Sequence, residues 1–232
     1  DYTLEGASQQ QVALALEGHP RFLVPKVHLA TRRVLVSDWV DGFKLTGLIG
    51  QPDEERNRSA LDYVTFLFAG PSLAGVLHGD PHPGNYLVMP DGRLAVVDFG
   101  LVSRLPDGLP MAMGRLIRHA VDGEIGPMVA GLAEEGFVED SIDGQALLDY
   151  LAPFVEPASV EDFAFNREWA RGQFARVHGD MSSSGVATSL NIPPEYGLIY
   201  RVWMGGIAVL SQLDVHANFA KVLRDWLPGF TD

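Results

Sequence analysis

The segment from His78 to Gly100 contains the side chains whose types and spacing could carry out chemistry. Asp80 precedes Asn85 by five positions, and a second aspartate, Asp98, follows two short apolar stretches separated by Asp91-Gly92. Carboxylate and amide oxygens are hard ligands that suit Mg²⁺. A further carboxylate can orient a hydroxyl or water and accept its proton. The segment therefore predicts magnesium-dependent phosphoryl transfer, with Asn85 and Asp98 as metal ligands and Asp80 as the catalytic residue.

The order of these residues is that of the catalytic loop, β-hairpin and metal-binding aspartate of protein kinases. Asp91-Gly92 predicts the hairpin turn. Pro81 and Pro83 restrict the loop backbone, and Gly84 allows it to bend before Asn85. We expect His78 to be a structural residue that hydrogen-bonds to backbone near the metal-binding aspartate.

A transition-metal hydrolase is a competing interpretation, because four side chains of the segment could bind a divalent ion: His78, Asp80, His82 and Asp98. Histidines four positions apart, such as His78 and His82, share one face of a helix. Pro81 and Pro83 disfavour a helix there.

Composition limits the classes of function. The 232 residues include 47% hydrophobic and 20% charged residues, which is typical of a folded globular protein. With 17 basic and 30 acidic residues, the net charge is −13, so the average surface repels nucleic-acid phosphates. ATP binding would need Mg²⁺ and backbone dipoles to offset the repulsion between this negative charge and the phosphates. The chain has no cysteine, which excludes disulfides and thiolate metal sites.

No targeting segment is recognisable, and a cytoplasmic location is expected. The most apolar late stretch, Tyr196–Leu213, contains Arg201 and is shorter than the roughly 20 unbroken apolar residues of a spanning helix. The chain begins at Asp1, inside a predicted helix, so we expect it to be a fragment of a longer protein.

Local patterns predict the elements that must position the site. A helix is expected over 1–16, two strands over 24–29 and 33–40, and a helix over 52–68. After the 78–100 unit, we expect helices almost to the end. Two apolar stripes at helical spacing predict buried helices: Ile192, Tyr196, Ile199, Trp203, Ile207 and Leu210, then Phe219, Val222, Leu223 and Trp226. Residues 181–185 are expected to form a loop.

These elements predict an α+β, protein-kinase-like fold that consists mostly of the helical C-lobe. Residues 1–42 would form a residual N-lobe, with a helix equivalent to αC and two strands leading to the hinge. Residues 43–232 would form the C-lobe, with the catalytic β-hairpin and a helical C-terminal extension.

The run His-Gly-Asp-Pro-His-Pro-Gly-Asn at 78–85, followed by Val-Val-Asp-Phe-Gly at 96–100, resembles the UbiB/AarF family of atypical kinases. The similarity extends upstream to 1–7, 24–27 and 35–42, and downstream to 101–105. It covers nearly the whole chain and is strongest around the catalytic hairpin.

This resemblance implies binding of ATP or ADP with Mg²⁺, and ATPase-type activity rather than protein phosphorylation. It also implies support of isoprenoid quinone (ubiquinone) biosynthesis, with a lipid or quinone-precursor ligand and peripheral membrane contact. Glu5 is similar to the αC glutamate that pairs with the phosphate-binding lysine. Asp38 and Val40 lie in the strand-to-hinge segment and are expected to contact the nucleotide.

The chain also departs from the family pattern. The phosphate-binding lysine, the alanine-rich nucleotide loop and the Lys-x-Gly-Gln motif belong upstream of Asp1 and do not occur here. Gly6 stands where the family usually has alanine. We therefore expect enzymatic activity from the intact parent protein, and an incomplete nucleotide site in this chain alone.

Two features argue against an ordinary protein kinase. Gly79 occupies the place of the arginine that binds a phosphorylated activation loop, and no Ala-Pro-Glu segment follows Asp98 at short distance. The remaining alternatives are an aminoglycoside- or choline-kinase-like enzyme, which shares His-Gly-Asp-x-His-x-x-Asn, and a non-catalytic nucleotide-binding scaffold.

Overall fold

The computed structural model describes residues 1–138, 142–180 and 186–231. The predicted loop at 181–185 lies outside these ranges. The helices are α1 (Tyr2–Ala15), α2 (Asp53–Ala74), α3 (Met111–Val121), α4 (Ile125–Glu134), α5 (Gly144–Tyr150), α6 (Ala152–Ala158), α7 (Arg167–Asp180), α8 (Val186–Ser189), α9 (Pro194–Leu213) and α10 (Phe219–Trp226). The strands are β1 (Phe22–Leu23), β2 (Val27–Ala30), β3 (Leu35–Ser37), β4 (Phe43–Lys44), β5 (Val76–His78), β6 (Tyr86–Val88), β7 (Leu94–Val96), β8 (Val102–Arg104), β9 (Phe163–Phe165) and β10 (Val215–Ala217).

The N-terminal helix and the strands that follow it agree with the sequence prediction. Asp1 caps α1 by accepting a hydrogen bond from the Thr3 amide at 2.9 Å. β2 and β3 pair antiparallel, with an irregularity between Val27 and Leu29. α1 packs on this ladder through Gly6, because a Cβ at that position would lie 2.5 Å from the Cβ of Ala30.

The catalytic hairpin belongs to a four-stranded sheet of order β1-β7-β6-β4. β6 and β7 are antiparallel, with Tyr86 opposite Val96. β1 adds in parallel to β7, and β4 adds antiparallel to β6. β1 precedes position 42, the predicted boundary between the N-lobe and the C-lobe, and the other three strands of the sheet follow it. The division of the chain at that position stays a prediction.

The expectation of an all-helical remainder after the hairpin was wrong in two places. β8 pairs with β5, bringing Val102 opposite His78. β9 pairs with β10, bringing Phe165 opposite Val215. Each of these strands has three residues, which is too short for an alternating pattern to be visible in the sequence. Pairing with a distant segment stabilises them.

The core lies between α2, α9 and α10. Five residues of the predicted stripe on α9 are buried: Tyr196, Ile199, Trp203, Ile207 and Leu210. Ile192 is an exception, because it precedes the first residue of α9 and is 40% exposed. The second stripe forms α10, with Phe219, Val222 and Leu223 buried. Trp203 stacks on Phe68 of α2, with ring centroids 4.9 Å apart.

Candidate functional site

Two adjacent chain segments bring the predicted site residues to one end of the catalytic hairpin. β5 ends at His78. It is followed by residues 79–85, the catalytic loop, after which the chain enters the four-stranded sheet as β6. Asp98 lies two residues after the end of β7. The amide of Gly79 donates to the carbonyl oxygen of Leu101 at 2.8 Å, and this bond ties the start of the loop to the segment after Asp98.

Asp80 and Asn85 are joined by a side-chain hydrogen bond. The Asn85 amide nitrogen donates to Asp80 Oδ2 at 2.9 Å. The backbone amide of His82 donates to Asp80 Oδ1 at 3.3 Å. Because the amide nitrogen of Asn85 is directed to the carboxylate, its carbonyl oxygen is left to serve as a metal ligand.

His78 is the buried link between the catalytic loop and Asp98. It is 2% exposed, and Nε2 donates to the backbone carbonyl oxygen of Asp98 at 2.8 Å. With the proton on Nε2, Nδ1 accepts from the Tyr86 hydroxyl at 3.3 Å. Burial lowers the pKa of His78, which favours the neutral ring. The structural role predicted for His78 is confirmed, and a ring with both nitrogens engaged does not suit the transition-metal alternative.

Asp98 has an unusual backbone conformation. Its φ is +63°, in the left-handed region that non-glycine residues rarely adopt. Such a conformation costs about 1–2 kcal/mol for an L-residue, so surrounding contacts must maintain it. The bond from His78 holds the Asp98 carbonyl. The next residue, Phe99, is 1% exposed and lies edge-on to the His78 ring at 5.0 Å. Asp98 itself is exposed, where its side chain can meet a ligand.

Glu5 lies beside the carboxylate of Asp98, although the two residues are far apart in the chain. A Cβ built on Gly100 would lie 3.2 Å from Asp98 Oδ1 and 3.5 Å from Glu5 Oε2, so both carboxylates flank this glycine. Partial burial and then the nearby Asp98 charge raise the pKa of Glu5. Two neighbouring carboxylates form a site that a cation would stabilise.

Asp38 and Val40 lie elsewhere. They line a cavity of about 550 Å³ with Trp39, Lys26 and other residues of the hinge and hairpin turn, and its lining includes none of Asp80, Asn85 and Asp98. Asp38 is 2.6 Å from the Nε2 of His28, and this hydrogen bond lowers the pKa of the carboxyl group. The contact of Asp38 and Val40 with a nucleotide stays a prediction.

A face of α9 contacts three consecutive residues of the catalytic loop, which sequence reasoning missed. Arg201 lies 4.0 Å from Asp80 Oδ1. Leu198 lies against Gly79, and Gly205 lies so close to Pro81 that a Cβ on the glycine would be 2.3 Å from Pro81 Cγ. The available signal was the three-and-four spacing of Leu198, Arg201 and Gly205. Nothing in that spacing identified residues 79–81 as the partner.

The close approach of α9 also explains Gly79. A Cβ at this position would lie 2.9 Å from Leu198 Cδ2 and 2.9 Å from Leu101 Cγ. No side chain fits there without displacing both leucines. The packing therefore leaves no room for the arginine that ordinary protein kinases have at this position.

The donor set fits magnesium. Within residues 1–138, 142–180 and 186–231, no three His, Asp or Glu side chains are grouped to hold a metal ion. Mg²⁺ does not require such a group, since it commonly takes one or two protein oxygens and completes its shell with water and phosphate. The Asp98 carboxylate and the Asn85 amide oxygen are donors of the type that Mg²⁺ prefers.

None of the helices in the part of the chain that the structure describes is both long and apolar enough to cross a bilayer.

The fold and the site define a protein-kinase-like domain. The family model described as the ABC1 atypical kinase-like domain matches residues 1–129, more than half of the chain. This chain belongs to that family, which confirms the predicted UbiB/AarF membership.

Named relatives and a solved structure agree with this assignment. The chain is 31% identical over 233 residues to ACTIVITY OF BC1 COMPLEX KINASE 1, chloroplastic, of Arabidopsis thaliana, covering 96% of this chain and 32% of the relative. It is 26% identical to an aarF domain-containing protein kinase of the same plant, also chloroplastic, covering 98% and 31%. Rv3197 of Mycobacterium tuberculosis, solved in complex with erythromycin, superposes with a TM-score of 0.91 at 29% identity, covering 100% of this chain and 59% of that chain. The chain thus spans about a third of the length of these two plant relatives.

Proposed function

We propose that this chain contributes the catalytic loop and metal ligands of an atypical kinase that binds ATP or ADP with Mg²⁺. The observation that carries the proposal is the arrangement of Asp80, Asn85 and Asp98. Asp80 and Asn85 are hydrogen-bonded at 2.9 Å, His78 donates to the backbone carbonyl of Asp98, and the amide of Val97, which precedes Asp98, donates to the backbone carbonyl oxygen of Asn85 at 2.9 Å. ATPase or phosphotransferase chemistry follows from these residues.

Each residue has a role in this proposal. Asn85 and Asp98 would hold Mg²⁺, whose charge when bound offsets that of the phosphate oxygens. Asp80 would orient the attacking hydroxyl or water and accept its proton. Glu5 would pair with a phosphate-binding lysine supplied from outside this chain, which accounts for its place beside Asp98. Asp38 and Val40 would contact the nucleotide at the hinge.

The biological role of the parent protein is part of the same proposal. We assign it to isoprenoid quinone biosynthesis, with a lipid or quinone-precursor ligand and a cytoplasmic location beside a membrane. Family membership supports this role, and the net charge of −13 disfavours nucleic acid as a partner.

The metal role of Asp98 is tested by the melting temperature with ADP, measured with Mg²⁺ and with EDTA. Asp98→Asn keeps a residue that tolerates positive φ and removes the charge. In a longer natural protein that contains this chain, we expect Mg²⁺-dependent stabilisation by ADP in the wild type, its loss in Asp98→Asn, and little change in the control His82→Ala. Equal shifts in wild type and Asp98→Asn would contradict the metal role.

Turnover separates the catalytic proposal from the scaffold alternative. In a longer natural protein that contains this chain, Asp80→Asn should keep Mg-nucleotide binding and lower ATP hydrolysis by about 100-fold or more, the usual contribution of a general base. If the wild type binds the nucleotide and hydrolyses none, the scaffold function is correct.

The small-molecule phosphotransferase is a second candidate. The complex of Rv3197 with erythromycin favours it, because that relative takes an antibiotic-sized ligand. A phosphorylation screen with aminoglycosides, choline and macrolides would discriminate the two. Phosphate transfer to any of them would favour this candidate over an ATPase in quinone biosynthesis.

A further inference from the structure

The catalytic loop is hydrogen-bonded to a tyrosine of α2 that none of the proposed roles includes. Tyr63 is completely buried, and its hydroxyl donates to the carbonyl oxygen of Pro81 at 2.7 Å. Its ring meets the ring of Tyr86 edge-on, with centroids 4.7 Å apart and 89° between the planes. The packing of the ring therefore fixes the place of the hydroxyl below the loop.

The carbonyl of Pro81 and the amide of His82 belong to the same peptide group. This group is planar and trans, so its C=O and N–H point in opposite directions. The carbonyl accepts from Tyr63 at one end, and the amide donates to Asp80 Oδ1 at 3.3 Å at the other. Two hydrogen bonds thus connect the Tyr63 hydroxyl, through one peptide group, to the Asp80 carboxylate.

Pro81 has little freedom apart from rotation of this peptide group. Its ring fixes the φ angle and lies against α9, where a Cβ on Gly205 would be 2.3 Å from Pro81 Cγ. Rotation about the ψ angle of Pro81 would turn the His82 amide away from Asp80. The hydrogen bond from Tyr63 opposes that rotation.

The Tyr63 hydroxyl keeps its proton, because burial and then the nearby charge of Asp80 raise its pKa. Pro81 is buried, and its carbonyl oxygen has no other hydrogen-bond donor in the part of the chain that the structure describes. Loss of the hydroxyl would leave this carbonyl unsatisfied, which favours reorientation of the peptide group toward a new partner.

We propose that Tyr63 is a positioning residue for Asp80, whose carboxylate it holds in place through the Pro81–His82 peptide group. This inference rests on the proposed function, in which Asp80 orients the attacking hydroxyl or water. The single hydroxyl proton of Tyr63 goes to Pro81 and not to the proposed metal ligands. Tyr63 should therefore affect turnover more than binding of the Mg-nucleotide.

Tyr63→Phe, made in a longer natural protein that contains this chain, removes the hydroxyl and keeps the ring. We expect kcat for ATP hydrolysis to fall about tenfold, since displacement of a catalytic group can cost up to about 100-fold. KM for Mg-ATP and the affinity for Mg-ADP should stay within about twofold of the wild type. Tyr196→Phe is the matched control, because it loses a buried hydroxyl that donates to Glu135, and its kcat should equal that of the wild type.

A double variant shows whether Tyr63 acts through Asp80. In an Asp80→Asn background, Tyr63→Phe should change the residual rate by less than about twofold, because the group that it positions is already lost. An equal fall of kcat in both backgrounds, or an unchanged kcat in Tyr63→Phe, would overturn the proposal.

Hydrogen exchange separates failure of this inference from failure of the proposed function, since it requires no turnover. The backbone amides of residues 79–85 should exchange about three- to tenfold faster in Tyr63→Phe than in the wild type or Tyr196→Phe. If the wild type hydrolyses no ATP, the catalytic role of Asp80 fails, and faster exchange in Tyr63→Phe still supports the hold of Tyr63 on the loop. Unchanged exchange in residues 79–85 would overturn the proposal whether or not ATP is hydrolysed.

Discussion

At the scale of single residues, the site depends on a histidine that is almost completely shielded from solvent. His78 donates to the backbone of Asp98 through Nε2 and accepts from Tyr86 through Nδ1. Both bonds require the neutral ring in one tautomer. Protonation of His78 would place a second proton where the Tyr86 hydroxyl now donates, and would put a charge into the core.

The stability of the chain should therefore depend on the protonation of His78. Burial lowers its pKa from the ordinary value of 6.5, so the unfolded chain binds this proton more tightly than the folded chain. The contribution is fully present above about pH 6.5 and is lost as the pH falls from there to the lowered folded pKa, with a slope of up to about 1.4 kcal/mol per pH unit. Urea unfolding at several pH values from mildly acidic to neutral measures it. His78→Gln should be less stable at neutral pH but show a shallower slope, and equal slopes would contradict this assignment.

Arg201 lies beside the predicted site, and the sequence did not predict its position there. It lies 4.0 Å from Asp80 and is largely exposed, so its contribution to folding is small. In a chain of net charge −13, a guanidinium beside the Asp80 carboxylate would attract a polyphosphate ligand.

Arg201→Gln should weaken Mg-ADP binding about two- to fivefold, as expected for loss of an exposed charge interaction. Its melting temperature should remain close to that of the wild type. Arg224→Gln on the exposed face of α10 makes the same charge change away from the site and is the control. Equal losses of affinity in both variants would mean that net charge alone, and no specific contact of Arg201, is responsible.

At the scale of secondary-structure elements, α1 and the β2–β3 ladder are joined through a glycine. A Cβ at Gly6 would be 2.5 Å from Ala30 Cβ and 3.2 Å from Leu35 Cδ1. An alanine at this position would therefore move α1 away from the ladder. Because Glu5 is the adjacent residue, the same movement would change its distance from Asp98.

Gly6→Ala is expected to lower the free energy of unfolding by about 1–3 kcal/mol, the usual cost of overpacking. Gly126→Ala is the matched control, since Gly126 lies in α4 with open space where its Cβ would project, and the variant should gain about 0.5–1 kcal/mol. Ala30→Gly combined with Gly6→Ala should recover part of the loss. If Gly6→Ala is as stable as the wild type in urea unfolding, the close approach of α1 to β2 is not real.

At the scale of the whole molecule, the C-terminal helices contribute directly to the catalytic loop. The matched family domain ends at residue 129, but Leu198, Arg201 and Gly205 of α9 contact residues 79–81. α9 also packs on α2 through Trp203 and Phe68. The late helical region is therefore part of the support of the site.

Gly205→Ala tests whether α9 supports the catalytic loop. Its Cβ would overlap Pro81, so the variant should lose about 1–3 kcal/mol of stability and bind Mg-ADP more weakly. Gly197→Ala lies in the same helix with open space around it and should gain about 0.5–1 kcal/mol without a change in affinity. Calorimetric titration and urea unfolding of both variants give the comparison. Unchanged affinity in a destabilised Gly205→Ala would show that α9 supports the fold and leaves the catalytic loop unaffected.

The sequence alone predicted the family, the α+β kinase-like fold, α1, the hairpin and the two late helices, because these follow from local spacing and from a motif confined to residues 78–100. It also placed Asp80 and Asn85 before one hairpin and Asp98 after it, and the antiparallel pairing of the two strands brings these flanking segments to the same end. Their roles in binding and catalysis stay predictions.

Only the tertiary structure decided which distant residues join them. The positions of Arg201 beside Asp80 and of Glu5 beside Asp98, and the three-residue ladders, all depend on contacts between segments far apart in the chain. Such contacts are set by the packing of whole helices and strands against one another, and no periodicity within a single segment specifies its partner.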